Sequence, residues 1–199
     1  MTLNCHEFCG VLSGSKFFQE PSPLRLTCTL SHTKLCIITG PNASGKSVLR
    51  KLICTKCRDE KLYCIHLSQA AKCGGGIEAA MIYGDESDDS TGINTVSMIQ
   101  GLFRTTNKSE KDFVVVLDEP EIGCSEELAA AIGIRIARDF DIEKCKAFFI
   151  ITHSKQIVKP LMAFNPSHIR LLNDNLTLDT WLHRKIKPVE SLETLSEGG

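Results

Sequence analysis

The sequence predicts an α/β fold built on a parallel sheet, and three observations carry that prediction. An apolar run, Leu35-Cys36-Ile37-Ile38-Thr39, leads into a glycine loop and then into a segment with apolar residues at helical spacing. Two continuous apolar runs, Phe113-Val114-Val115-Val116-Leu117 and Ala147-Phe148-Phe149-Ile150-Ile151, have the pattern of strands buried on both faces. Between them lie helix-like segments, and alternating strands and helices imply parallel pairing.

Taken in order, residues 3–12 and 24–30 alternate as strands, separated by turn signals at Gly14, Pro21 and Pro23. This predicts N-terminal antiparallel strands. The strand at 35–39 enters Gly40-Pro41-Asn42-Ala43-Ser44-Gly45-Lys46-Ser47, and a helix follows through Val48, Leu49, Leu52 and Ile53. Leu62 to Leu67 reads as a further buried strand, ending at Ser68-Gln69. From about residue 70 to 111 the character changes. Gly74-Gly75-Gly76 and the acidic 85–89 stretch are polar, and helical spacing resumes at Val96, Ile99 and Phe103. This section reads as a small inserted helical subdomain.

The strand at 113–117 ends in Asp118-Glu119-Pro120, and Ser125-Glu126-Glu127 opens a helix running to about Arg138. The strand at 147–151 ends in Thr152-His153-Ser154. Residues 169–178 read as a hairpin around Asn173-Asp174-Asn175. The domain is expected to span 1–182, and the charged 183–199 segment to be a flexible tail.

The glycine loop reads G-x-x-x-x-G-K-S between a strand and a helix, the context this motif requires. Gly40 and Gly45 permit close approaches that a Cβ would block, so consecutive N–H groups can turn around phosphate oxygens. The helix adds its positive end. Lys46 is suited to the β- and γ-phosphates and the Ser47 hydroxyl to Mg²⁺. These residues imply a nucleoside-triphosphate site.

At 199 residues the chain fits one domain, and 42% hydrophobic content is enough for a core. A net charge of −1 gives no sign of nucleic acid or an anionic membrane as partner. No apolar run approaches the ~20 residues of a membrane span, and the N-terminus lacks a signal-peptide pattern, so a cytoplasmic location is expected. Ten cysteines are many for this length. Cys54-x-x-Cys57, with Cys64 and Cys73, suggests zinc, but no second Cys-x-x-Cys pair accompanies it. The cysteines therefore read as small buried hydrophobes.

The order of polar strand ends narrows the family. A glycine loop, then Gln69, then Ser90-Thr91-Gly92, then Val-Val-Val-Leu-Asp-Glu-Pro, then Thr-His-Ser resembles the ATP-binding-cassette (ABC) ATPases, a branch of the P-loop NTPases. The resemblance implies ATP and Mg²⁺ as ligands. Gly40 to Val48 would hold the phosphates, with Ser47, Gln69 and Asp118 on Mg²⁺. Glu119 would be the general base and His153 the γ-phosphate contact. Ser90, Gly92 and Asn94 would be the signature that completes a partner's site, and Phe17 or Phe18 could stack on adenine.

Two departures refine that reading. The interval between Gln69 and Asp118 is shorter than the resemblance to transporters requires, and Asp-Glu-Pro-Glu-Ile-Gly resembles the soluble DNA-repair, chromosome-organising and phage- or defence-associated ATPases. The expected function is ATP hydrolysis by a head-to-tail dimer that drives or gates a partner, in DNA metabolism or phage–host conflict. The alternatives are a nucleotide-gated binding module and the nucleotide-binding subunit of a membrane transporter.

Overall fold

The computed structural model describes residues 5–68, 91–109, 111–172, 174 and 176–185, with the helix backbone alone at 91–94. Six strands form one sheet: β1 (Thr27–Thr29), β2 (Leu35–Thr39), β3 (Tyr63–Ser68), β4 (Phe113–Asp118), β5 (Ala147–Ile151) and β6 (Ser167–Arg170). Their order is β1-β6-β2-β5-β4-β3. All neighbours are parallel except β1, an edge strand antiparallel to β6. The β4 and β5 residues are almost wholly buried because helices cover both faces of the sheet.

Alternation along the strands divides the core in two. On one face Leu35, Ile37, Val115, Leu117, Phe148 and Ile150 pack under α3 (Thr91–Lys108), α4 (Glu126–Asp139), α5 (Lys155–Leu161) and α6 (Leu178–His183). On the other face Cys36, Ile38, Val116, Phe149 and Ile151 pack under α1 (Cys5–Ser13) and α2 (Lys46–Asp59). Phe8 of α1 meets Phe149 edge-on at 5.2 Å. α3 places Met98, Ile99, Leu102 and Phe103 in the main core.

Two sequence expectations are corrected. Residues 5–13 form a helix, not a strand. Cys5, Phe8, Cys9 and Leu12, at i, i+3, i+4 and i+7, are the buried residues. A strand would have put Phe8 and Leu12 on the face opposite Cys5 and Cys9, so burial selects the helical period. One antiparallel strand therefore precedes β2. Residues 169–178 do not form a hairpin either. Arg170 turns its guanidinium onto both carboxylate oxygens of Asp174 at 3.1 Å. Thr177 Oγ1 accepts from the Thr180 N–H and caps α6, which takes Leu178 and Leu182 into the core. A side-chain cap and a helical pair of leucines displaced the return strand.

β3 is an edge strand with a buried carboxyl end, and Tyr63 is exposed. Among the described residues, no helix is long and apolar enough to cross a membrane.

Candidate functional site

The carboxyl ends of β2, β4 and β5 lie at one edge of the sheet because the strands are parallel. From β2 the chain enters α2 on one face; from adjacent β5 it enters α5 on the other. Connections that part to opposite faces open a crevice between neighbouring strand ends, where open α/β sheets bind ligands.

The loop after β2 is tightly built. Ala43 and Gly45 have φ of 60° and 96°. A Cβ on Gly40 would come within 2.5 Å of Ser44 Oγ and 2.7 Å of Leu171 Cβ, so the cradle closes only around glycine. Gly45 caps α2 without a side-chain acceptor. Backbone turns of this kind form anion-binding concavities. Ser44 Oγ is buried in the loop without a hydrogen-bond partner.

Lys46 folds back into this loop. Its Nζ donates to the carbonyls of Gly40 (3.3 Å) and Pro41 (3.0 Å). It also lies 2.6 Å from His153 Nε2 and 3.5 Å from Glu119 Oε1. His153 Nε2 is itself 3.2 Å from Glu119 Oε1. Residues from three strand ends thus meet in a triangle. Glu119 reaches it from a left-handed backbone, φ 51°, a conformation costing a non-glycine residue about 1–3 kcal/mol and concentrated at functional sites. An open depression of about 330 Å³ adjoins the triangle, lined by Asn42, Ala43, Gly45, Lys46, Ser47, Val48 and Glu119.

Asp118 is tied elsewhere. Its Oδ2 accepts from Arg50 Nη1 at 2.9 Å, and the same Nη1 lies 3.5 Å from His66 Nε2. Burial raises the Asp118 carboxyl above its ordinary range, and Arg50 opposes that rise. Burial, with Arg50 beside it, pushes the His66 imidazole down to about 4.

Arg50 and Glu121 were missed by sequence reasoning. Arg50 sits one helical turn beyond Lys46, on the same face of α2, and that spacing was the available signal. Glu121 Oε1 accepts from Thr152 Oγ1 (2.8 Å), the His153 N–H (2.7 Å) and the Ser154 N–H (3.2 Å). It holds the turn that presents His153. Its position after the strand end gave no hint of this, because the contact spans two strand ends.

The remaining predicted residues separate. Gln69 and Ser90 lie outside the described residues. Gly92 and Asn94 fall in the first turn of α3, where only the backbone is described. Phe18 is buried, and its ring lies 3.4 Å from where a Cβ on Gly45 would stand; Phe17 is exposed. Cys54 and Cys64 sulphurs approach to 3.7 Å beside buried Cys57.

No protein-family model and no curated protein matches this chain.

Proposed function

We propose that the chain binds ATP with Mg²⁺ and hydrolyses it in the manner of a non-transporter ABC ATPase, closing head to tail as a dimer that drives or gates a partner. The observation that carries this reading is the convergence of Lys46, Glu119 and His153 beside the glycine loop. An alternative as a chance glycine turn does not account for a lysine, a carboxylate and an imidazole meeting from three strand ends.

The residues fit the ligand. The cradle at Gly40 and the unpartnered Ser44 hydroxyl suit phosphate oxygens. Ser47, Gln69 and Asp118 would hold Mg²⁺, which neutralises charge on the β- and γ-phosphates. Lys46 exchanges its carbonyl partners for phosphate oxygens. Glu119 accepts a proton from the water whose oxygen attacks the γ-phosphorus, and the bond to the bridging oxygen breaks with its electrons leaving on ADP. His153 steadies a γ-phosphate oxygen. Exposed Phe17, next to the phenylalanine packed under Gly45, is the residue left to stack on adenine. Ser90, Gly92 and Asn94 complete the site of the second chain.

Titration calorimetry with ATP and Mg²⁺ tests the reading. The wild-type chain is expected to bind, and Lys46→Ala to lose binding while keeping its circular dichroism. A Lys46→Ala chain that binds ATP as tightly as wild type would overturn the assignment. Phosphate release by the wild-type chain separates a hydrolase from a binding module.

A further inference from the structure

The glycine-loop site uses none of the cysteines. Three of them, Cys5, Cys9 and Cys36, bring their sulphurs within 4.8 Å of one another, the sole such group of metal-ligating side chains found among the described residues. All three are buried and none is in a disulfide. Cys5 and Cys9 stand one turn apart on α1, so both point at the same patch of sheet. Cys36 meets them from β2, on the face it shares with Ile38.

A fourth cysteine borders the group. Cys28 of β1 pairs in register with Ile169, and Ile169 pairs with Ile38. Cys28 therefore faces the same side of the sheet as Cys36, two strands away. It is partly buried and packs against the same cluster that holds Cys5, Cys9 and Cys36. Ser13 Oγ, at the end of α1, lies 3.7 Å from Cys28 Sγ.

We propose that Cys5, Cys9 and Cys36 bind a single Zn²⁺ ion, fastening α1 to the strand that feeds the glycine loop; Cys28, whose sulphur lies outside that 4.8 Å group, would swing in from the β1 edge as the fourth ligand. Tetrahedral zinc with bonds of about 2.3 Å separates its sulphurs by about 3.8 Å, a separation that falls inside the 4.8 Å spanning these three. Cys5-x-x-x-Cys9 falls within the ligand spacing of structural zinc sites. Sulphurs this close accommodate one ion and leave no room for a multi-iron cluster. Burial as small hydrophobes explains isolated cysteines such as Cys145; it gives no reason for thiols from separate elements to converge. Each thiol surrenders its proton to solvent as a sulphur–zinc bond forms, so binding releases up to four protons per ion.

The sequence spacing that suggested zinc, and was set aside in favour of buried hydrophobes, was Cys54-x-x-Cys57 with Cys64 and Cys73; Cys73 lies outside the described residues, leaving Cys54, Cys57 and Cys64. Those three do not form a group within the same distance, and they supply the internal control. The proposal stands independently of ATP binding.

The test uses the full chain, purified reduced and reconstituted with Zn²⁺ or Co²⁺ alone. Elemental analysis is expected to find one zinc per chain. X-ray absorption should show sulphur ligands at about 2.3 Å. The Co²⁺ form should show thiolate charge transfer and the intense visible bands of a tetrahedral site. Cys36→Ala and the double variant Cys5→Ser/Cys9→Ser should lose the metal, whereas Cys54→Ser/Cys57→Ser should keep it. The wild-type Co²⁺ spectrum decides the matter even where a variant fails to fold. No bound metal, a cobalt spectrum without thiolate ligands, uptake that survives loss of Cys36, or uptake abolished only by the Cys54 and Cys57 changes would each overturn the proposal.

Discussion

Glu119→Gln is the most demanding test of the proposed chemistry. Glutamine keeps the length and reach of the side chain and the left-handed backbone at this position, but it does not take a proton from water. General-base contributions run to about 10²–10⁴-fold, or about 3–5 kcal/mol of barrier at 1.36 kcal/mol per decade. Stability should barely move. The carboxylate stands 3.5 Å from Lys46 Nζ, and the glutamine amide oxygen can still accept from that ammonium, so the buried lysine is not left unpartnered and the loss is held to about 1 kcal/mol. Lys46 also keeps its contacts to two carbonyls and His153. Phosphate release should therefore fall by at least two decades while ATP and Mg²⁺ binding persists. Size exclusion with light scattering should show the variant as a dimer with ATP and Mg²⁺ and as a monomer with ADP. A variant that turns over ATP at the wild-type rate would remove Glu119 as the base and undo the argument from the triangle.

Three further outcomes follow from packing and charge. Gly133→Ala should lower the melting temperature by several degrees: its Cβ would meet the Ile157 carbonyl oxygen and stand 2.9 Å from Ile157 Cα, where α4 crosses α5. Overpacking of about 1–3 kcal/mol outweighs the roughly 0.5–1 kcal/mol gained in helix propensity, and a calorimetric rise in melting temperature would refute the crossing. Arg50→Met should destabilise the fold by about 1–3 kcal/mol at pH 7, since it leaves the Asp118 carboxylate buried without its cation. The Asp118 pKa should rise further, so the deficit in urea unfolding should shrink as pH falls and the carboxyl protonates; a pH-independent deficit would refute this. Burial, with Arg170 beside it, pushes His168 down to about 4. The unfolded chain therefore takes up the proton first, and stability present above about pH 6.5 should be lost as pH falls toward 4, by about 3 kcal/mol. His66 adds in the same direction. His168→Gln should flatten that slope, and an unchanged slope would show that other groups set it.

The elements legible in the sequence were those with one dominant period. Val114, Val115 and Val116 leave no alternative to a buried strand, and the glycine loop between β2 and α2 is set by local chemistry. The failures came where two periods fitted. Cys5, Cys9 and Val11 satisfy a strand as well as Cys5, Phe8, Cys9 and Leu12 satisfy a helix, and only burial against Phe149 decides. The hairpin reading at 169–178 failed because Asn and Asp mark turns of every kind. Arg170 and Thr177 then chose a turn into a helix. The candidate site was legible where residues sit next to their strand ends. Arg50 and Glu121 were not, because their partners are distant in the chain and close only in the sheet. The cysteine group was hidden for the same reason: its spacing runs through space between α1 and β2.

What unites the site is that its charges neutralise one another. Lys46 faces Glu119, and Arg50 faces Asp118, all four side chains mostly withdrawn from solvent. A buried charge without a partner is costly, so each pair holds its neighbour in the resting arrangement. A triphosphate entering the loop would exchange carbonyl partners of Lys46 for phosphate oxygens, and a divalent cation would compete with Arg50 for Asp118. Because the two cations lie one turn apart on α2 and the two carboxylates are adjacent at the end of β4, releasing one pair changes the field at the other. Ligand and cation are therefore expected to bind cooperatively. Removing Arg50 should weaken that coupling: ATP affinity measured with and without Mg²⁺ should differ less in Arg50→Met than in wild type. Equal differences would mean that Arg50 is a bystander and that Asp118 meets the cation without an exchange of partners.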